Sequence, residues 1–136
     1  MSKVFFITGG CGFIGSNFIQ YLLNSKDVHQ IINLDKLTYA GNKSNLIDYE
    51  NEDRYKFFKG DICDAKTVQN IYKKYSPNCI INFAAESHVD RSIDGPKDFI
   101  NTNIFGTYTL LQESLLYFRS LNKKLRSEYR FHHIST

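Results

Sequence analysis

The sequence predicts a doubly wound α/β fold, a parallel sheet with helices packed on both faces. Three observations carry this reading. Apolar strand-like runs alternate along the chain with amphipathic helix-like runs. The first junction between two such runs, "TGGCGFIGSN" at 8–17, holds four glycines within seven residues. The second strand-like run ends in an acidic residue, Asp35, 20 residues beyond Gly15. Strands separated by helices are joined by right-handed crossovers, which makes the sheet parallel.

The elements follow in order. "KVFFIT" at 3–8 is apolar on both faces and stops at glycine, as a buried parallel strand does. From Phe13 to Asn24, Ile14, Phe18 and Leu22, with Ile19 and Leu23, recur at helical spacing. "QIINLD" at 30–35 is the second strand and "KFFKGD" at 56–61 a shorter third. "DAKTVQNIYKKY" at 64–75 reads as a helix with Asp64 as its N-cap, stopped by "SPN". "CIINFAA" at 79–85 is the fourth strand. A long helix follows Pro96, and "RFHHIS" at 130–135 is the fifth strand. The sequence carries no internal repeat, low-complexity tract or linker.

Composition narrows the function. A chain of 136 residues, 42% hydrophobic and 23% charged, is an ordinary globular domain with a core of its own. No apolar run approaches the roughly 20 residues that span a bilayer, and the N-terminus has no secretory-signal pattern. Cys11, Cys63 and Cys79 are odd in number and lack metal-ligand spacing, so a reducing cytoplasm and no metal are expected. A net charge of +3 gives no case for nucleic acid. The basic stretch "RSLNKKLRSEYR" at 119–130 reads as the solvated end of a helix and its loop.

The glycine stretch carries the chemistry. It contains G-x-G-x-x-G as Gly10, Gly12 and Gly15, and G-x-x-G-x-x-G as Gly9, Gly12 and Gly15. A glycine triplet alone is weak. After a strand, before a helix and followed by Asp35, it fits a dinucleotide-binding, Rossmann-type turn. Early glycines let backbone N–H groups approach a pyrophosphate, and the helix opening near Phe13 points its positive end at that anion. Gly15 is expected to let the helix pack on the sheet. Asp35 would accept from the adenosine ribose hydroxyls and repel a 2′-phosphate, which favours NAD over NADP; the neighbouring Lys36 weakens that preference. Asp61 and Ile62 end the third strand, where an adenine would lie.

"TGGCGFIGSN", "DKLTYAGN", "GDICD", "NFAAESHVDRSIDGP", "TNIFGTYTLL" and "FHHIST" together resemble dTDP-glucose 4,6-dehydratases, of the extended short-chain dehydrogenase/reductase superfamily. The likeness covers essentially the whole chain. The glycine turn alone indicates the superfamily; "DKLTYAGN" and "AAESHVDRSIDGP" are far more specific. The resemblance implies tightly held NAD, a Tyr assisted by a Lys that takes the sugar C4 hydroxyl proton, and hydride transfer from C4. The 4-keto group then acidifies C5, water leaves across C5 and C6, and hydride returns to C6.

The resemblance also implies residue roles. Gly9, Gly12, Phe13, Ile14 and Gly15 match the pyrophosphate loop. Asp35, Lys36, Leu37 and Thr38 match the ribose loop, and Asp61 and Ile62 the adenine contacts. Ala84, Ala85, Glu86 and Ser87 match the segment under the nicotinamide. Thr102 and Asn103 match cofactor-side positions of the long helix, with Asn103 bending it locally. Ser87 and His88 are placed toward the sugar, and Thr136 would hold the sugar C4 oxygen as a catalytic and substrate-binding residue. Asp90 and Arg91 read as a local ion pair. A homodimer built on the helix 99–118 is expected from its wide apolar surface. The family's Asp–Glu pair, its Tyr-x-x-x-Lys motif and its substrate domain are expected beyond Thr136, not within the chain. Residues 1–136 therefore read as the N-terminal portion of a dehydratase acting on dTDP-glucose or UDP-glucose, inactive in isolation. A 4-epimerase or decarboxylase of the same superfamily, or a non-catalytic dinucleotide-binding module, are the alternatives.

Overall fold

The structure, a computed structural model, describes residues 3–135. Five strands form one sheet: β1 (Lys3–Thr8), β2 (Val28–Asp35), β3 (Tyr55–Lys59), β4 (Cys79–Asn82) and β5 (Arg130–His133). Their order is β3-β2-β1-β4-β5 and every pair is parallel. The order reverses between β1 and β4, which opens a crevice beyond their C-terminal ends.

Both faces of the sheet are buried, which is why β1 reads as an unbroken apolar run. Successive residues alternate between faces. Phe5 and Ile7 pack with Ile31, Ile81 and the α1 (Phe13–Leu23) residues Ile19, Leu22 and Leu23. Phe6, Ile32 and Ile80 pack with Val68, Ile71 and Tyr72 of α2 (Ala65–Tyr75) on the other face. Asp64 caps α2 as expected, its carboxylate accepting from the Lys66 and Thr67 amides at 3.0 and 3.3 Å.

Several element boundaries differ from expectation: β2 starts at Val28 rather than residue 30, β5 ends at His133 rather than residue 135, and three further differences have a local reason. β4 ends at Asn82 rather than residue 85, because β1 turns away at Gly9 and leaves residues 83–87 without a neighbouring strand. β3 ends at Lys59, ahead of Gly60. The basic stretch after residue 119 contains a separate short helix, α6 (Lys123–Glu128), because Asn122 caps it through the Leu125 amide at 3.0 Å. A 3-10 helix at Lys43–Tyr49, absent from the sequence reading, drops Leu46 into the core.

A short helix, α3 (Val89–Asp94), leads to Pro96, where a continuous helical rod begins. The rod comprises α4 (Pro96–Phe99), a π-helical turn at Ile100–Gly106 and α5 (Thr107–Ser120). Gly106 is buried where this rod crosses the β3–α2 loop. A Cβ there would lie 2.5 Å from both Cγ1 and Cδ1 of buried Ile62. Gly106→Ala is therefore expected to destabilise the fold by about 1–3 kcal/mol through overpacking. Combined with Ile62→Ala, it should cost less than the two single changes added together. Urea midpoints of the three variants read this directly.

Candidate functional site

The crevice at the switch point is built from the ends of β1, β2, β3 and β4. Gly9 adopts a left-handed backbone, φ +69°, and a Cβ there would lie 2.6 Å from the Ala84 amide nitrogen. The loop after β1 thus lies directly against the backbone that follows β4. Three loop amides are tied to β2: Gly9 N–H donates to the Leu34 carbonyl at 3.0 Å, Gly10 N–H to Asn33 Oδ1 at 3.1 Å, and Cys11 N–H to Asp35 Oδ2 at 2.8 Å. Gly12, the N-cap of α1, offers no side chain to the helix's opening amides. The first turn of α1 is thus left open, the arrangement that suits an anion. α2, whose Asp64 satisfies its own amides, is the contrast.

Gly15 acts differently from expectation. A Cβ there would meet the Gly9 carbonyl and the Gly10 Cα, so its bareness lets α1 close on the glycine loop rather than on the sheet.

Asp35 is buried at 8% exposure. Its second oxygen accepts from the Leu37 amide at 2.8 Å, where Leu37 turns through φ +57°. Each oxygen keeps a lone pair for a further donor. Lys36 reaches across to Asp61, Nζ to Oδ2 2.7 Å. Burial pushes the Asp61 carboxyl up, but the Lys36 and Cys63 hydrogen bonds outweigh it and hold it below the ordinary value. The same hydrogen bond raises Lys36.

Eleven of the sequence-derived residues line the crevice: Gly9, Gly12, Asp35, Lys36, Thr38, Asp61, Ile62, Ala84, Ala85, Glu86 and Thr102. Gly41, Gly60, Leu34, Ala40 and Phe83 line it too. Phe13 and Ile14 turn their side chains outward, at 83% and 61% exposure, so only their backbones can serve the site. Asn103 does not line the crevice. Its carboxamide clasps the Glu86 backbone, accepting from Glu86 N–H and donating to Glu86 O, both at 2.8 Å. Ser87 and His88 are exposed at the start of α3. Thr136 lies outside the described residues.

Two expectations are corrected. Among the described residues Arg91 forms no ion pair with Asp90; its guanidinium stacks on the Tyr39 ring at 3.8 Å, and His88 meets the same ring edge-on. The spacing Tyr-x-x-x-Lys does occur in the chain, at Tyr39–Lys43 and Tyr55–Lys59. Neither resembles a catalytic pair. Tyr55 and Lys59 lie on a strand, where four residues span about 13 Å, and Tyr55 Oη is buried against Asn33. Lys43 pairs with Glu50 at 2.7 Å.

Sequence reasoning missed Asn33. Its carboxamide accepts from the Gly10 amide and donates to Tyr55 Oη at 2.9 Å, and its nitrogen lies 3.5 Å from Cys11 Sγ. The signal was present: an Asn inside the apolar run "QIINLD" must find partners if it is buried. No group of metal-ligating side chains occurs among the described residues, and none of their helices is long and apolar enough to cross a membrane.

Strand order, glycine turn and crevice together define a Rossmann-type domain. A family model described as GDP-mannose 4,6 dehydratase matches residues 6–136, and the chain belongs to that family. It is 52% identical over 130 residues to a dTDP-glucose 4,6-dehydratase of Escherichia coli, covering 96% of this chain and 36% of that protein. A Haemophilus influenzae dTDP-glucose 4,6-dehydratase matches equally, at 52% and with 38% of its length covered. Among solved structures, a Bacillus anthracis dTDP-glucose 4,6-dehydratase in complex with NAD superposes with TM-score 0.81 at 36% identity, covering 99% of this chain and 38% of that one. A Thermotoga maritima UDP-glucose 4-epimerase with UDP-glucose gives 0.74 at 29%, covering 85% and 35%. The chain thus spans little more than a third of the length of these relatives.

The buried groups beneath the glycine loop set a pH limit. Burial, then the Asp35 charge, push the Cys11 thiol up to about 11 from 9.0. Burial pushes the Tyr55 hydroxyl up to about 12 from 10.0 and raises Tyr72 as well. Folded-state values above unfolded ones mean that the native state holds these protons more tightly. Their contribution to stability is complete below pH 9 and is lost as pH rises toward 12. Urea midpoints are expected to hold near neutrality and fall steadily above pH 9, with a shallower fall in Cys11→Ala.

Proposed function

We propose that this chain is the NAD-binding part of a nucleotide-sugar 4,6-dehydratase that converts dTDP-glucose to its 4-keto-6-deoxy product. The observation that carries the reading is the open first turn of α1 beside a buried carboxylate, Asp35, that lines the crevice. The 52% identity to dTDP-glucose 4,6-dehydratases across nearly the whole chain supports it. The epimerase likeness is weaker, at 29% identity.

In this reading the amides of Phe13, Ile14 and Gly15 bind the pyrophosphate, the bare backbones of Gly9 and Gly12, whose own amides donate to the Leu34 and Gly9 carbonyls, let it come close, and Asp35, with Leu37 and Thr38, holds the adenosine ribose. Asp61 and Ile62 hold the adenine. Ala84, Ala85, Glu86 and Thr102 flank the nicotinamide, and Asn103 acts as a positioning residue through its clasp on Glu86. Ser87, His88 and Thr136 face the sugar, with Thr136 polarising the C4 oxygen. Bound NAD supplies reversible acceptance of a hydride. Residues 1–136 belong to the dinucleotide-binding unit, and the protein works in the cytoplasm, which suits the free thiols of Cys11, Cys63 and Cys79.

The test is a calorimetric titration of NAD and NADP, followed by incubation of the protein carrying this chain with dTDP-glucose. NAD should bind and NADP bind more weakly. Asp35→Ala should weaken NAD by roughly 1.5–3 kcal/mol, the range for a charged hydrogen-bonding partner, and narrow the gap between cofactors. Absence of NAD binding, or of a product with the alkaline absorbance of a 4-keto sugar, would overturn the reading.

The same protein is proposed to be a homodimer joined through the helical rod. Leu110 and Tyr117 are used against α2 and the sheet. Ile104, Phe105, Tyr108, Leu111, Leu115 and Leu116 remain exposed on the rod, a second apolar face that one sheet does not require. Light scattering is expected to give twice the chain mass, and Leu111→Glu to weaken the dimer about tenfold or more, since it buries an unpaired charge.

A further inference from the structure

The neighbour of Asp35 in sequence, Lys36, leaves the choice between NAD and NADP open, because a lysine beside the ribose can accept a 2′-phosphate. The fold answers differently. β2 and β3 run parallel with Asp35 opposite Lys59, so the residues just past their ends, Lys36 and Asp61, come together at the crevice. Lys36 Nζ lies 2.7 Å from Asp61 Oδ2. The other oxygen of Asp61 accepts from the Cys63 amide at 2.9 Å, which fixes the carboxylate's direction. In the adjoining cavity the nearby cation is Arg91, which lies over the Tyr39 ring. We infer that Asp61 helps set the NAD-over-NADP preference by holding Lys36 away from a 2′-phosphate, in addition to any contact it makes with adenine.

The inference rests on the cofactor reading above and deepens it. Charge decides the matter. Asp35, Asp61 and Glu86 bring three carboxylates to the crevice and Lys36 one ammonium, so the pairing of Lys36 with Asp61 leaves Asp35 uncompensated beside the ribose. A 2′-phosphate could recruit Lys36 only by drawing it from Asp61. That carboxylate is half-buried and would be left unpaired beside the same ligand, so breaking the Lys36–Asp61 pair offsets whatever the phosphate wins from the lysine. Burial pushes the Asp61 carboxyl up, but hydrogen bonding to Lys36 outweighs it and holds the group below the ordinary value, while the same bond raises Lys36, so the fold favours the charged form of both partners. Selectivity therefore acts by occupying Lys36, the cation next to Asp35, which would otherwise welcome the wrong cofactor.

The experiment is a calorimetric cycle that reads the ratio of NADP to NAD dissociation constants, with no turnover needed. Any adenine contact of Asp61 is common to both cofactors and cancels in the ratio. Asp61→Asn keeps an oxygen for the Cys63 amide and should lower the ratio about tenfold, the size of one added charge-assisted contact. Asp61→Ala, run in parallel, carries the same expectation without an amide. In a Lys36→Gln background the same changes should move the ratio less than about threefold, since no cation is released. A ratio unmoved by both Asp61 substitutions overturns the inference while leaving NAD binding intact. An equal fall with and without Lys36 also overturns it, because the effect would then be direct repulsion by Asp61. If the parent chain binds neither cofactor, the cofactor reading fails and this inference falls with it.

Discussion

The close approach of the Gly9 backbone to Ala84 is the constraint on which the crevice depends. It brings the loop after β1 down onto the segment after β4, at the place where the strand order reverses. Any Cβ at residue 9 would have to displace a backbone, which has nowhere to go between two buried strands. Once the loop is fixed there, its amides divide into two groups. Those of Gly9 to Gly12 are taken, Gly10 and Cys11 by Asn33 and Asp35 of β2, Gly9 by the Leu34 carbonyl and Gly12 by the Gly9 carbonyl. Those of the first turn of α1 have no such partner and face outward at the crevice. A surface that binds an anion is thus produced by satisfying some donors internally and leaving a specific few unsatisfied.

Holding the loop this way requires polar groups inside the sheet layer, and the chain supports them as a connected set. Asn33 is fully buried, yet its oxygen and nitrogen both find partners in Gly10 and Tyr55. A buried carboxamide with all its partners fixes register between β1, β2 and β3; one with a partner missing would be a liability. The same device recurs one strand pair away. Thr8 Oγ1 donates to Asn82 Oδ1 at 2.5 Å, and Asn82 Nδ2 meets His133 Nδ1 at 3.1 Å, tying the ends of β1, β4 and β5. Thr8, Asn82 and His133 end their strands, where the crevice is, and Asn33 lies two residues from the end of β2, with Tyr55 reaching it from the start of β3.

What the sequence discloses and what it withholds follow from range. β1, α1 and α2 are legible because their signals are local: an apolar run ended by glycine, a 3.6-residue stripe, an Asp at the N-cap. The glycine turn and Asp35 are legible because the spacing between them is itself the signal. The partners of Arg91 and Lys36 are not, since each depends on a residue brought close only by the fold, Tyr39 in one case and Asp61 in the other. In the basic stretch after residue 119, the charge pattern hides the cap at Asn122. Asn33 escapes notice for the opposite reason: it looks like part of a strand, which it is, and its function lies in the donor above it.

The π-helical turn explains how one rod serves both the core and the crevice. An α-helix nearly repeats its direction every seven residues. Regular helix from Pro96 onward would therefore turn Asn103 to the same side as Leu110, which is fully buried against the sheet. An Asn so placed would lose its water with no partner to replace it. The wider turn at Ile100–Gly106 shifts the phase, so that Leu110 keeps its place in the core while Asn103 reaches the Glu86 backbone. Gly106, at the end of that turn, closes against Ile62 on the far wall of the same crevice. The rod thereby touches the loop after β4 and the loop after β3 at once. Its irregular turn fixes the distance between the two ends of the site, which regular helix would leave to flexible loops.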